Sequence, residues 1–474
     1  MTHDRDDDHA PSTPFPVRPV SNGEWLPRHD VRKAHATEQL IRDEADAQAK
    51  RHGMTRAQFL RTAAGTATAF WVLNKVNGLA QTGEAAVLPV GRSACVDLDA
   101  GRELLDRSMF VMDVQTHHAD TARFPGTNFC FLRFLDQQGC QQNPESIGQL
   151  NFIKETFVDS ETTIGVISGL PNGVPAGPEI MAQTRDLVNQ LAGSERCLSQ
   201  VMIDPKAPPG SATAIDSMEH QVRDLRGAAL KCYTYSGNWF LDDEQIAYPM
   251  LAEADRLGLR LINVHKGLPA IFAPGSEQSV RTIDLPKAVR DWPRLSFCAY
   301  HSGYFQAGDH PLGLDGLTEF LQVVESMPPS DRRRVYAEIG STFAVTLLQS
   351  PVQAAHLVGQ LLKTMGPRNV LWGTDSIWWG SPQWLIDAFK TLEIPPAMQE
   401  EFGYPALTTT VKKRILGLNA ARLYRVQRTR RRCSVPADAL EQLQEDQGGL
   451  RAERSLRVYG AQTRREFLSI FGRG

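Results

Sequence analysis

Short apolar segments alternate with amphipathic segments from about residue 105 to residue 427. Eight of the apolar segments have the length and the near-continuous hydrophobicity of strands that are buried on both faces. They are residues 110–114, 163–168, 199–203, 228–233, 260–264, 295–299, 335–339 and 370–372. Several helical segments between them open with Pro or Asp and close with Gly, as capped helices commonly do. The pattern predicts an α/β protein with a parallel sheet covered by helices.

Eight strand–helix units in about 320 residues favour a closed (β/α)8 barrel, the TIM barrel, with long loops. An open, doubly wound sheet is the alternative, but the Gly-rich turn that often follows its first strand is absent. Residues 1–35 have few large apolar side chains and are expected to be disordered. The remaining regions are a helical extension and linker over residues 36–104, the barrel over 105–427 and a charged C-terminal tail over 428–474.

Charge and hydropathy exclude some classes of function. The net charge of −3 leaves no basic stripe of the kind that binds nucleic acid. No apolar stretch approaches the length of about 20 residues that crosses a membrane, so no transmembrane helix is predicted. We therefore expect a small-molecule substrate as the partner, and we leave a homo-oligomer open.

The segment 55–76 resembles a twin-arginine export signal, because Arg56, Phe59 and Leu60 precede a modest apolar stretch. The second arginine of that motif is replaced by Ala57, and a long polar segment comes before it, whereas such signals usually begin the chain. These departures favour an amphipathic helix that packs on the domain, and hence a cytoplasmic protein. Export to the periplasm is the alternative.

The cysteines do not form a recognisable framework. Their number is odd, their spacing is scattered and no Cys-x-x-Cys pair occurs, which argues against a disulfide scaffold or a structural zinc site. Cys130 and Cys140 could pair across the loop of residues 119–143, but unpaired thiols are favoured. A loop of that length is often a lid or an oligomer contact. The seven positions are 95, 130, 140, 197, 232, 298 and 433.

Four polar clusters follow predicted strands, and they carry the candidate chemistry. They read VMDVQTHH at 111–118, LINVHK at 261–266, FCAYHSG at 297–303 and LWGTDS at 371–376. Parallel barrels collect catalytic groups in this way, from the carboxyl ends of several strands onto one face. Because side chains alternate along a strand, Asp113, Gln115 and His117 should point to one side, and Val114 and His118 to the other. If the first side is the barrel interior, His117 lies at the mouth of the strand with Gln115 one step deeper. Two imidazoles and one carboxylate, with positions left for water and substrate, suit a catalytic divalent ion.

In this order the clusters resemble the motifs of the amidohydrolase superfamily. The specific likeness is to the amidohydrolase-related, TIM-barrel metal-dependent hydrolases, a group that also contains aminocarboxymuconate-semialdehyde-type decarboxylases. That family has an Asp/His-x-His pair on the first strand, His residues after the fifth and sixth, and Asp after the eighth. The matching residues are His117, His265, His301 and Asp375. The segment KKRILGLNAARLYRV at 412–426 resembles the closing helix of the family, and the resemblance covers residues 108–427.

One departure from the family concerns the first strand, where Gln115 stands in place of a histidine. An amide oxygen is a harder and weaker donor than imidazole, so metal affinity should fall or shift toward harder ions. Lys231 lies where some branches carry a carbamylated lysine between two metals, but the missing histidine argues against two. The resemblance implies one divalent ion, zinc or alternatively manganese, held by His117, His265 and Asp375 with Gln115 as a fourth ligand. Loss of the metal is the alternative.

The resemblance also implies roles for the residues around the ion. A bound metal lowers the pKa of its water to about 7 and polarises a carbonyl. Asp375 would accept the proton of that water, and His301 would stabilise the oxyanion or move protons. Aromatic residues in the strand-end loops suggest a ring-bearing substrate. The residues predicted to contact it are Lys266, Trp239, Tyr304 and Trp378.

Three hypotheses follow for the function. The first is a metal-dependent hydrolase of an amide, lactone or ester-type bond in a small ring-bearing substrate. The second is a metal-dependent, non-oxidative decarboxylase on the same scaffold. The third is a catalytically inert barrel that binds a ligand, which the departure at Gln115 motivates.

Overall fold

The computed structural model describes residues 13–27, 30–105, 109–123, 129–174, 176–271, 273–306, 308–426, 438–450, 460–461 and 463–471. Eight parallel strands form the centre of the molecule. The strands are β1 (Val111–Thr116), β2 (Thr162–Ile167), β3 (Cys197–Ser199 and Val201–Met202), β4 (Leu230–Tyr233), β5 (Leu261–Gly267), β6 (Ser296–Tyr304), β7 (Val335–Glu338) and β8 (Val370–Leu371). All eight overlap the segments that the sequence predicted.

The sheet closes on itself into a barrel. Adjacent strands pair in chain order from β1 to β8, and the two parts of β3 pair with β2 on one side and β4 on the other. The barrel closes where the backbone N–H of Val114 donates to Trp372 (3.1 Å) and that of Asp375 donates to Gln115 (2.9 Å). A parallel bridge between Thr116 and Ser376 extends this contact. The predicted (β/α)8 barrel is therefore confirmed, and the open sheet is excluded.

Helices surround the barrel and precede it. The extension contains α1 (Val31–Arg51), α2 (Arg56–Leu60), α3 (Ala63–Val76), α4 (Arg92–Val96) and α5 (Leu98–Leu105). Within the barrel lie α6 (Gln137–Gln142), α7 (Gln149–Ile153), α8 (Pro178–Ala192), α9 (Met218–Arg223), α10 (Ala247–Arg256), α11 (Leu285–Asp291), α12 (Thr318–Ser326), α13 (Pro329–Arg332), α14 (Thr342–Gln349), α15 (Pro351–Met365) and α16 (Gln383–Thr391). They are followed by α17 (Pro396–Phe402), α18 (Thr409–Lys413), α19 (Asn419–Leu423), α20 (Ala439–Asp446) and α21 (Arg464–Phe471).

Two apolar clusters stabilise this arrangement. The larger one lies between the strands and the surrounding helices and takes in the extension. The smaller one fills the barrel, where Met112 and Val114 of β1 meet Tyr300 of β6 together with Ala420 and Ala421 of α19. The segment 412–426, which resembles the closing helix of the family, thus packs on the barrel interior through the small side chains of α19.

The N-terminal segment differs from the predicted disordered tail. Phe15 is fully buried and stacks on Phe70 of α3 and Trp384 of α16, with ring centroids 5.3 and 5.5 Å apart. Val20 and Trp25 are buried as well. The prediction of disorder is wrong for residues 13–27, because three large apolar side chains provide anchors in an otherwise polar segment. Residues 1–12, 28 and 29 of the predicted tail lie outside the described residues.

The twin-arginine-like segment forms α2 and α3. Thr55 caps α2 with a reciprocal hydrogen-bond pair with Gln58. The helix α3 is buried on most of its surface, and not on one face as an amphipathic helix would be. It packs on the domain as predicted. Among the described residues, none of the helices combines the length and the apolar character needed to cross a membrane.

Two further expectations concern the cysteines and the C-terminal tail. Cys130 and Cys140 form a disulfide, so the prediction of unpaired thiols there is wrong. The loop folds back through α6, which brings the two Cα atoms to 5.6 Å. In the tail, Asp438 caps α20 and pairs with the buried Arg196 at 3.1 Å. Cys433 lies outside the described residues.

Candidate active site

One cavity of about 290 Å³ opens at the carboxyl ends of the strands. It brings together the predicted residues of all four clusters, although they are separated by up to 260 positions in the chain. Because these ends meet on one face of a parallel barrel, this is where a site is expected. The cluster residues that line it are Gln115, His117, His265, His301 and Asp375.

The strand β1 reaches the cavity through an irregular register. Its pairing with β2 shifts between Asp113 and Thr116. Met112 and Val114 therefore face the barrel interior, while Gln115 and His117 line the cavity further along the same strand. The expectation that strict alternation places Asp113 inside and Val114 outside is wrong, because a shifted register breaks the period of two.

Asp113 connects β1 to the segment after β8 instead of facing the cavity. Its carboxylate accepts hydrogen bonds from the backbone N–H groups of Gln115 (3.0 Å) and Thr374 (3.1 Å), and from the Thr374 hydroxyl. Burial raises the pKa of Asp113 to about 7, although these hydrogen bonds oppose the shift. Asp113 thus fixes two segments that carry site residues, Gln115 on one and Asp375 on the other.

His117 and Asp375 face each other in a buried contact. The Nδ1–H of His117 donates to the carbonyl oxygen of Ser168 at 2.7 Å, which leaves Nε2 3.0 Å from Oδ1 of Asp375. A carbonyl oxygen only accepts, so Nδ1 carries a proton, and Nε2 faces the carboxylate either as an N–H donor or as a fellow ligand of a shared cation. That contact is favourable only with a proton or a metal cation between the two atoms. The pair therefore fits a metal ion, which would bind both.

The carboxylate of Asp375 is held on both oxygens. Oδ1 accepts from the amide of Gln115 (3.0 Å), and Oδ2 accepts from the hydroxyl of Ser341 (2.6 Å). Ser341 in turn accepts from the indole N–H of Trp379 at 2.8 Å. Burial alone would raise the pKa of Asp375, but the hydrogen bond with His117 and the nearby imidazole of His301 lower it well below its usual range. Asp375 therefore remains an anion.

The amide of Gln115 has a defined orientation. Its nitrogen lies 3.0 Å from Oδ1 of Asp375 and 3.4 Å from Nε2 of His301, and both of these atoms are acceptors. The amide oxygen is buried without a hydrogen-bond partner among the described residues. The donor end of the side chain therefore faces the other site residues, so this orientation does not present the oxygen that the predicted fourth metal ligand would need.

His301 is neutral and has one ring nitrogen available. Its Nδ1–H donates to the carbonyl oxygen of Gly340 at 3.1 Å, and its backbone N–H donates to the buried Glu338 at 3.0 Å. Burial lowers the pKa of His301 to about 4. His301 (φ 66°) and Ser302 (φ 54°) both adopt the left-handed region, which costs about 1–3 kcal/mol for each such residue. This local backbone directs the imidazole from the end of β6 into the cavity.

His265 lies between aromatic rings at the end of β5. Its ring centroid is 4.9 Å from that of Tyr235, 5.5 Å from that of Tyr233 and 4.6 Å from that of His301. The Nε2–H group donates to the carbonyl oxygen of Leu268 at 3.2 Å. Burial, together with His301, lowers the pKa of His265 well below its usual value, so the ring is neutral. A neutral imidazole is the form that binds metal.

Glu24 is the site residue that the sequence reasoning missed. It lines the cavity from residues 13–27, with Oε1 3.9 Å from Nε2 of His265. Burial, followed by the charge of Asp375, raises the pKa of Glu24 to about 8. Ligand atoms of Glu24, His265 and His301 all lie within 4.8 Å of one another. The sequence feature that could have found this segment is the presence of the large apolar side chains Phe15, Val20 and Trp25, which follow no helix or strand period.

The predicted substrate contacts have different outcomes. Trp378 lines the cavity and stacks on His117, with ring centroids 5.5 Å apart. Lys266 does not reach the cavity, because its ammonium group is buried against Asp284 at 2.6 Å. Trp239 and Tyr304 are buried outside the cavity lining. These three placements contradict the prediction that Lys266, Trp239 and Tyr304 contact the substrate.

Two other candidates also lie away from the cavity lining. His118 packs against Phe152 with ring centroids 5.3 Å apart, so it does not replace the missing histidine at position 115. Lys231 is fully buried with its ammonium group 3.7 Å from the ring centroid of Tyr300. Burial lowers the pKa of Lys231 to about 8, while Glu338 and Asp375 oppose the shift.

The walls of the cavity are largely apolar. The loop after β1, which the Cys130–Cys140 disulfide closes, and the loops after β2 and β4 supply most of them. Two carboxylates lie among the lining residues that the structure describes, whereas Lys and Arg are absent from that set. The wall residues include Phe129, Phe131, Leu132, Leu170, Tyr233, Tyr235 and Trp378.

Comparison with protein families assigns this chain to one of them. Residues 182–426 match the family model described as amidohydrolase, which is just over half of the chain. This chain therefore belongs to the amidohydrolase family. The match includes His265, His301 and Asp375, while Glu24, Gln115 and His117 precede it. No relative with a curated description matches the sequence.

Several solved structures are similar to this chain. A 5-carboxyvanillate decarboxylase from Sphingomonas paucimobilis has 15% identity and a TM-score of 0.42, over 68% of this chain and 100% of that one. A 4-oxalomesaconate hydratase from Rhodopseudomonas palustris has 15% identity and a TM-score of 0.43, over 72% and 99%. A dihydroxybenzoic acid decarboxylase from a Polaromonas species, with bound manganese and an inhibitor, has 14% identity and a TM-score of 0.39, over 68% and 98%. Likenesses of this size do not identify the reaction of this chain.

Proposed function

We propose that this chain is a metal-dependent hydrolase that cleaves an amide, lactone or ester-type bond in a small, ring-bearing substrate. The observation that carries the proposal is the contact between Nε2 of His117 and Oδ1 of Asp375 at 3.0 Å. With a cation between them, Nε2 of His117 and Oδ1 of Asp375 would be neighbouring ligands of that cation. Ligands at roughly 2.1 Å from one tetrahedral zinc ion are about 3.4 Å apart, so these two atoms would separate slightly to share it.

The proposed ligands are His117, His265 and Asp375, which the barrel supplies from three strand ends. A divalent ion held there, zinc or alternatively manganese, would lower the pKa of a bound water to about 7 and polarise a substrate carbonyl. Gln115 is better assigned as a positioning residue than as a fourth ligand, since its amide N–H groups donate to Asp375 and His301.

The transfer of the water proton is best assigned to His301. Its Nδ1–H is committed to Gly340, so Nε2, which lies 3.4 Å from the amide nitrogen of Gln115, is the atom that would accept a proton from a water in the cavity and return it to the leaving group. Asp375 accepts hydrogen bonds on both oxygens and stays ionised, which suits a ligand better than a proton acceptor. This assignment departs from the sequence-based one, in which Asp375 took the proton.

The cavity walls restrict the substrate. Trp378, Tyr235 and Phe131 offer ring faces and edges around a space of about 290 Å³, which suits a single small ring. Because the described lining residues contribute two carboxylates and neither Lys nor Arg, a neutral or cationic substrate is favoured over an acid. A decarboxylase substrate would carry a carboxylate that only the metal and the imidazoles could receive.

The first test is elemental analysis of the purified protein, of Asp375→Asn and of a control, Asp291→Asn, which changes a carboxylate outside the cavity. We expect about one divalent ion per chain in the wild type and the control, and a loss of metal in Asp375→Asn. Metal-free protein in all three, after incubation with zinc and with manganese, would contradict the proposal and favour the inert barrel.

The second test separates hydrolysis from decarboxylation. The metal-loaded enzyme is screened in ¹⁸O-water against ring-bearing amides, lactones and esters, and against the corresponding aromatic acids. Hydrolysis places one ¹⁸O atom in the acid product. Release of carbon dioxide from an acid, without any activity on the carbonyl substrates, would overturn the hydrolase assignment and establish the decarboxylase.

A further inference from the structure

Residues 13–27, here called the mouth segment, cross the carboxyl end of the barrel. The backbone N–H of Val20 donates to Phe134, and the carbonyl oxygen of Gly23 accepts from Ile271 at 2.6 Å. The side chain of Gln306 bonds both the N–H and the carbonyl oxygen of Leu26, at 3.2 and 2.6 Å. These contacts attach the segment to the loops that follow β1, β5 and β6, so its position is fixed relative to the site.

The side chain of Glu24 is oriented by its neighbour Asn22. The amide of Asn22 donates to Oε2 of Glu24 at 3.2 Å, and its oxygen accepts from the backbone N–H of Glu24 at 3.0 Å. Asn22 is 1% exposed, so this pair is part of the packed structure. The other carboxylate oxygen, Oε1, lies 3.9 Å from Nε2 of His265. Glu24 is thus held with one oxygen near the imidazole of His265, whose Nε2–H donates to Leu268 and whose Nδ1 is the nitrogen that could bind a metal.

The groups around Glu24 suit a cation. Glu24 and Asp375 both line the cavity, and the described lining residues include neither Lys nor Arg. The buried ammonium group of Lys231 lies against the ring of Tyr300 and outside that lining, although its charge acts on both Glu24 and Asp375. Two carboxylates in one buried site repel each other unless one is protonated or a positive charge is shared between them. Together with the neutral imidazoles, they form a donor set that suits a divalent ion.

The replacement of a barrel histidine by Gln115 also favours Glu24 as a metal ligand. Where a histidine would bind metal, Gln115 presents amide N–H groups, which cannot coordinate a cation. Ligand atoms of Glu24, His265 and His301 lie within 4.8 Å of one another, which places a carboxylate oxygen beside a proposed ligand. We propose that Glu24 is a ligand of the metal ion, supplied by the mouth segment in place of the barrel histidine. This inference rests on the proposed function, because it concerns the same ion.

The test compares metal affinity in the wild type, Glu24→Gln and a control, Glu84→Gln, which alters an exposed glutamate of the extension. Zinc and manganese are titrated separately by calorimetry, and Asp375→Asn is included. Loss of a direct ligand should weaken binding at least as much as loss of a supporting residue, by about 10–100-fold. We expect that loss in Glu24→Gln and no change in Glu84→Gln. Cobalt-loaded protein should show a changed visible spectrum in Glu24→Gln, because its donor set is altered.

The outcomes distinguish this inference from the function on which it rests. If Glu24→Gln binds metal like the wild type, with the same cobalt spectrum, while Asp375→Asn loses the metal, Glu24 is not a ligand and the proposed function stands. If the wild type binds no metal, the proposed function fails and this inference fails with it. If Glu24→Gln does not fold, Glu24→Asp is used, which keeps the charge on a shorter arm. Unchanged affinity and spectrum in that variant would also overturn the proposal.

Discussion

Replacing Lys266 with methionine separates a structural role from a substrate-binding role for the residue that follows His265. In the structure the ammonium group donates to Asp284 at 2.6 Å and to the carbonyl oxygen of Ser279 at 2.8 Å. Both charged side chains are buried, with exposed fractions of 0% and 1%. The variant would leave the carboxylate of Asp284 without its cation, in a place that water does not reach.

The magnitude follows from this burial. Removing one partner of a buried ion pair costs about 3–5 kcal/mol, because the remaining charge is uncompensated. Asp284 would keep the hydrogen bond from the backbone N–H of Leu241 at 2.8 Å. Methionine fills much of the space of the lysine stem, so the loss of packing is small. At roughly 2–4 °C per kcal/mol, the Tm should fall by about 6–20 °C.

The assay is denaturant unfolding of the wild type, Lys266→Met, Asp284→Asn and the double variant. Asparagine keeps an acceptor for Leu241 without the charge, so the double variant should recover part of the loss, with a coupling energy of about 2–3 kcal/mol. Lys287→Met is the matched control. This variant breaks the surface ion pair between Lys287 and Asp291, whose N–O distance is also 2.6 Å. Solvent screening should make the resulting loss of stability small.

The result that would refute this reasoning is equally specific. If Lys266→Met unfolds within about 0.5 kcal/mol of the wild type, as an ordinary surface variant does, the buried pair is not stabilising. A loss of substrate affinity at unchanged stability would then return Lys266 to the substrate-binding role that its position after His265 suggested. Metal content should not change in either case, because Lys266 lies outside the cavity lining.

Two further predictions concern segments whose structure the sequence did not reveal. Converting Cys130 and Cys140 to serine should lower the free energy of unfolding by about 3 kcal/mol for a closed loop of this length. It should also weaken substrate binding, since Phe129 and Phe131 of the same loop line the cavity; equal stability of this variant and the oxidised wild type would contradict the expectation. Phe15→Ala should cost about 3–5 kcal/mol in thermal or denaturant unfolding, because the ring is fully buried, whereas a disordered tail would tolerate the change without loss.

The barrel was predictable because its strands are buried on both faces. Segments such as 260–264 and 295–299 are nearly continuous apolar runs, and their regular alternation with helices leaves few topologies. The positions of His265, His301 and Asp375 then follow from the strand order alone. Closure of the barrel through Val114 and Trp372 required no additional sequence signal, since eight strand–helix units form a barrel of ordinary size.

Side-chain directions near the cavity were less predictable. The register shift in β1 turns Gln115 and His117 toward the mouth although Val114, one residue earlier, faces the interior. Local sequence does not reveal such an irregularity, because the hydrogen bonds that fix it come from Thr374, which is distant in the chain. The left-handed backbone at His301 is another case, since it depends on Glu338 in the next strand.

Specificity in this fold depends on the segments with the weakest sequence pattern. The barrel strands supply His117, His265 and Asp375, and strands of this kind recur across many chemistries. The walls come instead from the disulfide-closed loop around Phe131 and from the mouth segment that carries Glu24. Each is held by tertiary contacts, and neither has a periodic pattern of its own. A metal centre that combines the two sources would have its affinity set partly by whether the mouth segment is seated, so variants of that segment should affect metal binding even where they leave the barrel intact.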